Sequence, residues 1–320
     1  MPGIRMSRPS AVAVMVLTVA LVIAPALAQA GTAPPQKTRR KPVPPVTVTL
    51  DTLLAKTAEY CRRLESSAFD FVCREEISET IDPKLDAAVT TAQKNALVDA
   101  GSTNYLGVGA SNYIGPTLTF STVRKIKRSV VYDYQCIRAG RTIREARTQL
   151  EENGKRKVVP NADLQTSIVV WATSLLAPVG LFGDRFQPGY DFTISGNDLI
   201  GKTAVVIIDA KPKPGAPPTR NLYGKAWVDP ATGNILKIEW SESRVGRREI
   251  FEKRGELFKR TPRLVIRSEF SAEKNGIRFP SHLYVEEAYL KANGKAFIRS
   301  KTEVVYKDFK FFSVQYEYRD

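Results

Sequence analysis

From Arg128 to the C-terminus the chain alternates apolar and polar residues in segment after segment, and turn chemistry rather than helices separates the segments. "RSVVYDYQCIRAG" sets Val130, Tyr132, Tyr134 and Cys136 on one strand face. Leu264, Ile266 and Phe270 share another, as do Ile277, Phe279, Leu283, Val285 and Tyr289. The links "DPATGN", "EKNG" and "KANGK" are short. Short links join antiparallel neighbours, because a parallel return needs a crossover of about a dozen or more residues. About ten such segments without alternating helices predict a mainly β (α+β) fold built on one large, curved antiparallel sheet, open or partly closed.

Two helical patterns stand apart from the strands. In "DTLLAKTAEYCRRLESSAF", Leu53, Leu54, Thr57, Tyr60, Cys61 and Leu64 recur at helical spacing, with Asp51 placed to cap the first turn. In "NADLQTSIVVWATSLLAPVGLFG", Asn161 is placed to cap and Pro178 to stop a second helix. Its Leu164, Ile168, Trp171, Leu175 and Leu176 mark a buried side that Val169 and Val170 widen, as expected of an apolar helix lying deep against a sheet. As function, that helix is a lid; as structure, it is core.

The hairpin "LYGKAWVDPATGNILKIEW" supplies the candidate site. Placing Asp229 opposite Asn234 sets Trp227 against Leu236, Lys225 against Ile238 and Tyr223 against Trp240. The expected product is one aromatic face interrupted by Lys225. Such a face is either packed core or the wall of an apolar cavity. The cavity candidates are therefore Tyr223, Trp227, Leu236, Ile238 and Trp240, with Trp171, Leu175 and Leu176 from the lid and Lys225 as a rim contact for an acidic headgroup.

The N-terminus has the order of an export signal. Arg5 and Arg8 precede an uncharged run from Ala11 to Ala24, and "APALAQA" offers small residues for cleavage after residue 28, with 30 as the alternative end. The run is shorter than the roughly 20 residues of a spanning helix. Residues 29–48 form a proline-rich basic linker carrying Lys37, Arg39, Arg40 and Lys41. Residues 49–320 are then a single domain, with a small, polar insertion at 81–124 between its first two strands. The formal charge of +15 falls by two, to +13, when Arg5 and Arg8 leave with the signal. In an exported, periplasmic chain this excess suits an anionic membrane or envelope surface and not nucleic acid. A monomer is expected.

Three cysteines in an exported chain predict one disulfide and one free thiol. Cys61 lies on the helix stripe, and Cys73 shares a strand face with Phe69, Phe71 and Ile77. The local Cys61–Cys73 pair is expected because short loops close readily, with Cys136 as the rival partner of Cys73.

Catalytic sets are missing. Gly196, Gly201, Lys202 and Thr203 satisfy a nucleotide-binding P-loop pattern, but "AVVIIDA" follows as a β-branched strand where such a loop needs a helix. The bland alternative is a hairpin turning at Gly196, Asn197 and Gly201. His282 is the single histidine, without a nucleophile elbow to serve. The cysteines and histidine do not fall at metal-ligand spacings. The adjacent pairs Glu75–Glu76 and Glu286–Glu287 split across strand faces and are assigned to the solvated rim. No catalytic residue, metal ligand or cofactor follows.

The signal, the amphipathic first helix, the consecutive antiparallel strands, the apolar mid-chain helix and above all "GKAWVDPATGNILKIEW" resemble the periplasmic lipoprotein-sorting family, the LolA/LolB-like carriers. The likeness covers about Asp51–Thr80 and Lys127 onward. It implies an unclosed half-barrel with the two helices over its concave face, and a non-enzymatic carrier of lipid or lipoprotein acyl chains. The long insertion and the cysteines depart from that pattern. An envelope scaffold with a filled core and a basic binding surface is the alternative.

Overall fold

The computed structural model describes residues 48–69, 71–87, 124–139, 142–164, 166, 176–215, 223–241 and 248–312. They fall in one compact unit, Val43–Asp320. The expected signal peptide, nearly all of the linker and residues 88–123 of the insertion lie outside them.

The chain enters through helix α1 (Leu50–Ser67), whose cap is Thr49, two residues before the expected Asp51: the Thr49 hydroxyl accepts from the Thr52 amide at 3.3 Å. Leu53, Thr57, Tyr60, Cys61 and Leu64 form its buried face, as their spacing requires. Strand β1 (Phe71–Ile81) follows, then a single helical turn α2 (Lys84–Ala87) that opens the insertion. Next come β2 (Ile126–Ala139), β3 (Thr142–Glu152) and β4 (Lys155–Val159). Helix α3 (Ala177–Phe182) precedes β5 (Tyr190–Ile200), β6 (Thr203–Pro212), β7 (Gly224–Val228) and β8 (Ile235–Trp240). Helix α4 (Arg248–Phe258) leads to β9 (Thr261–Glu269), the small hairpin β10 (Ala272–Lys274) and β11 (Ile277–Phe279), β12 (His282–Leu290) and β13 (Ala296–Phe311).

Eleven strands make one sheet in the order β4-β3-β2-β1-β13-β12-β9-β8-β7-β6-β5, every neighbour antiparallel. The edges β4 and β5 do not pair, so the sheet is an unclosed half-barrel. One inward row crosses eight strands in register: Val130, Ile77, Val304, Leu283, Ser268, Ile238, Ala226 and Ile208. Each of the eight is buried. This band continues into one core with the buried faces of α1 and α3.

Three local expectations are corrected. Pro178, expected to end the mid-chain helix, instead opens a short one, Ala177–Phe182, because a first-turn proline forfeits no helical hydrogen bond, and most of the expected span, residues 165 and 167–175, lies outside the described residues. Asn161 sits at φ 51° in a turn after β4 instead of capping a helix. The P-loop pattern spans the β5–β6 hairpin, with Gly201 at φ 62° in the turn, whereas Gly196 and Asn197 lie within β5 beside a bulge. Helix α4, between β8 and β9, was not anticipated at all.

Candidate functional site

The β7–β8 hairpin keeps the expected turn but not the expected register. The Asp229 amide donates to the Asn234 carbonyl at 2.9 Å. Beyond it Val228 pairs with Ile235 and Trp227 with Lys237, so Leu236 is an extra residue on the return strand. This β-bulge exchanges the faces of everything that follows it. Ala226 meets Ile238, Lys225 meets Glu239 and Gly224 meets Trp240.

The predicted aromatic face is therefore divided between the two sides of the sheet. Ile238 and Trp240 face inward and are buried, with the Trp240 indole N–H donating to Ser268 Oγ at 2.9 Å. Tyr223 is half-buried against the same core, its carbonyl paired with the Ser241 amide. Trp227 and Leu236 instead pack with Val205 in a separate outer cluster. There the Lys237 ammonium lies 3.4 Å from the Trp227 ring centroid, and the indole N–H donates to Asp198 at 3.1 Å. Lys225 is exposed on the outer face, 3.6 Å from Asp209. Leu176 is half-buried where α3 begins; Trp171 and Leu175 lie outside the described residues.

Helix α1 is seated on the rim by the hairpin turn. Lys56 Nζ donates to the Pro230 and Ala231 carbonyls at 2.8 and 3.1 Å, and the Tyr60 hydroxyl to the Arg278 carbonyl at 2.8 Å. Gly233, at φ 75°, brings the turn so close that a Cβ there would stand 2.5 Å from the Lys56 carbonyl. Gly233→Ala should destabilise the protein by about 1–3 kcal/mol through left-handed strain alone, and should loosen α1 first. Hydrogen exchange checks this: amides of residues 53–64 should exchange faster relative to those of β12. The segment after α3 holds α1 from the other side through solvent-exposed ion pairs, Arg62–Asp184 at 2.8 Å and Arg185–Glu65 at 3.0 Å. Exposed pairs of this kind contribute little stability.

The expected Cys61–Cys73 disulfide is absent: all three cysteines are free and buried. The Cys61 thiol faces α3, 3.6 Å from the Pro178 carbonyl. Burial pushes all three thiols up, Cys136 to about 11.

The inner face also carries buried charge that the sequence reading placed on the rim. Glu75 is 1% exposed on β1. Arg147 of β3 binds it through Nε and Nη2 at 2.5 and 3.0 Å, and Nη2 also reaches Glu145 at 2.6 Å. The Tyr134 hydroxyl donates to Glu145 at 3.0 Å. Burial raises the Glu145 carboxyl above its ordinary value; Arg147 opposes the rise and Glu75 adds to it.

A second set centres on Glu287 of β12, also 1% exposed. It accepts from Arg254 on α4 at 3.1 Å, Arg299 at 2.9 Å, the Tyr289 hydroxyl at 2.5 Å and the Ser300 hydroxyl at 2.7 Å. Arg299 also clasps Asp86 of α2 at 3.0 Å. Burial alone would raise the Glu287 carboxyl, but the two arginines hold it at about 2. Parity could have found both glutamates: Glu75 shares that of Cys73 and Ile77, and Glu287 that of Val285 and Tyr289.

Histidine 282 is half-buried, 3.9 Å from Glu269. Among the described residues no three histidine, cysteine or acidic side chains are grouped to hold a metal ion.

No protein-family profile matches the sequence, and no curated protein matches it. Among solved structures the chain is similar to a LolA superfamily protein from Nitrosomonas europaea, with 11% identity over 84% of this chain and 96% of that one at a TM-score of 0.33. It is also similar to an outer membrane lipoprotein-sorting protein domain from Vibrio parahaemolyticus, with 9% identity over 82% and 95% at 0.36. A DUF1329 family protein from Desulfovibrio piger gives 11% over 81% and 92% at 0.34. These likenesses touch the fold alone. The architecture expected from the alternating segments, one large antiparallel sheet that stays open, is the one the strand order displays.

Proposed function

We propose that the protein is an exported, non-catalytic binder or carrier of an apolar ligand, a lipid or acyl chain, taken up against the inner face of the half-barrel in the periplasm. The observation that carries this reading is the buried band across eight strands, apolar in all but Ser268, covered by α1 and the six-residue α3. The ion pairs that tie α1 to the segment after α3 are solvent-exposed and add little, so the cover is held by its apolar contacts with the band, which an acyl chain can replace. Lifting it would offer Ile238 and Trp240 to a chain whose methylenes each gain about 0.8 kcal/mol on leaving water. The basic surface would meet acidic headgroups of an anionic membrane during exchange, and a monomer suffices for both steps.

One observation favours a second reading. Ile238 and Trp240 are already buried by the protein's own side chains, which suits an envelope scaffold with a filled core. The exported protein, purified without detergent and extracted with organic solvent, separates the two by mass spectrometry. Stoichiometric lipid is expected. Lipid-free protein that also fails to enhance the fluorescence of a fatty-acyl dye would leave the scaffold.

A further inference from the structure

Next to the apolar band, one inward position along the strands, a second row crosses β3, β2, β1 and β13 as Gln149, Tyr132, Glu75 and Tyr306. Gln149 is 1% exposed. Neither its Nε2 nor its Oε1 has a hydrogen-bond partner among the described residues. The polar groups beside it are engaged elsewhere. The Tyr132 hydroxyl donates to the Asp163 carbonyl at 3.3 Å, and Arg147, two residues back on the same strand face, is taken by Glu75 and Glu145. A carboxamide carries two donors and one acceptor, and burying it with all of them unmet leaves its desolvation uncompensated.

We propose that Gln149 is the headgroup-recognition residue of the inner face, and that the ligand it selects is an amphiphile with a neutral amide headgroup. The assignment rests on the apolar-binder reading above and names the chemistry of that ligand's polar end. An amide presents an N–H and a C=O side by side, so it can accept from Nε2 and donate to Oε1 together. An ester carbonyl satisfies Nε2 and gives Oε1 nothing. A fatty carboxylate would bring negative charge close to Glu75 and Glu145, where the guanidinium that would neutralise it is already committed. With the amide on Gln149, the acyl chain has an apolar path beginning at Val130 and Ile77, the adjoining residues of the band. Selection then arises from an unmet pair of hydrogen bonds, a stronger discriminator than one methylene more or less.

The test compares oleamide with methyl oleate, which share a chain and differ in the donor. Both compete for a fatty-acyl dye on the exported protein stripped of lipid. Oleamide should displace the dye at a concentration at least about tenfold lower, about 1.4 kcal/mol. In Gln149→Leu the two ligands should become equipotent, and the ligand-free variant should melt higher than wild type because the orphaned amide is gone. Gln149→Met gives the same readout should the branched side chain fail to pack. Equal potency on wild type, or a preference that survives in both variants, overturns the headgroup assignment and leaves the binder reading standing. A dye that never binds overturns both.

Discussion

Glu287→Gln is expected to destabilise the protein by about 3–5 kcal/mol at neutral pH, because it leaves Arg254 and Arg299 buried around a neutral amide. About 3 kcal/mol of this follows from titration alone: the carboxyl sits at about 2 in the fold against roughly 4.3 when unfolded. The sign is that of a depressed group. Its contribution is present above the unfolded value and is lost as pH falls from about 4.3 toward 2. Wild type should therefore weaken steeply across that window in urea unfolding, and Glu287→Gln should weaken less. The effect should reach α4, since Arg254 is anchored on this carboxylate and Phe258 stacks edge-on to Tyr289 at 4.8 Å. Equal unfolding midpoints for the two proteins at pH 7 would show the network to be energetically idle.

Arg147→Met should also cost about 3–5 kcal/mol at neutral pH, for the opposite reason: it strands two carboxylates, Glu75 and Glu145, in the interior. Their dependence on acid is inverted. Burial already raises the Glu145 carboxyl, and without the guanidinium, which opposes that rise, it climbs further. A raised carboxyl contributes stability that is complete below the unfolded value of about 4.3 and is lost as pH climbs through the folded one. The deficit of the variant should shrink as pH falls from 7 to 4, while that of Glu287→Gln shrinks only below about 4.3 as wild type itself weakens. A deficit of Arg147→Met that stays constant between pH 4 and 7 would mean that the lost packing of the arginine stem, and not its charge, accounts for the change.

Most of the architecture was legible because period-two parity survives wherever a strand is regular. The stripe of α1 and the inward faces of β1, β2 and β12 lie where alternation puts them. Parity fails at an inserted residue. Leu236 carries no local mark of a bulge, yet it moves Trp227 and Lys225 to the outside while Ile238 and Trp240 stay within. Helix α4 was illegible for another reason: "REIFEKRGELF" is dominated by charge, and its anchors are Phe251, Phe258 and a salt bridge to Glu287 that no local pattern contains. The inward glutamates were readable as inward but not as affordable there. Their cations sit on other strands, Arg147 seventy-two residues from Glu75 and Arg299 twelve from Glu287, across ladders that only the fold assembles. Gln149 gave no signal at all, since an amide that lacks a partner looks like any other in sequence.

The failure of β4 to meet β5 bears on what the half-barrel can hold. In a closed barrel the number of strands and their stagger fix the bore. Here no ladder spans the gap, so the aperture can widen or narrow by a change of curvature without parting a single hydrogen bond between strands. A vessel of adjustable girth tolerates contents of unequal thickness. The same freedom exposes two strand margins to foreign chains, and β4 meets that hazard with Lys155, Arg156 and Lys157 in succession on its exposed five residues. The opening is thus both the source of adaptability and the place where charge must stand guard.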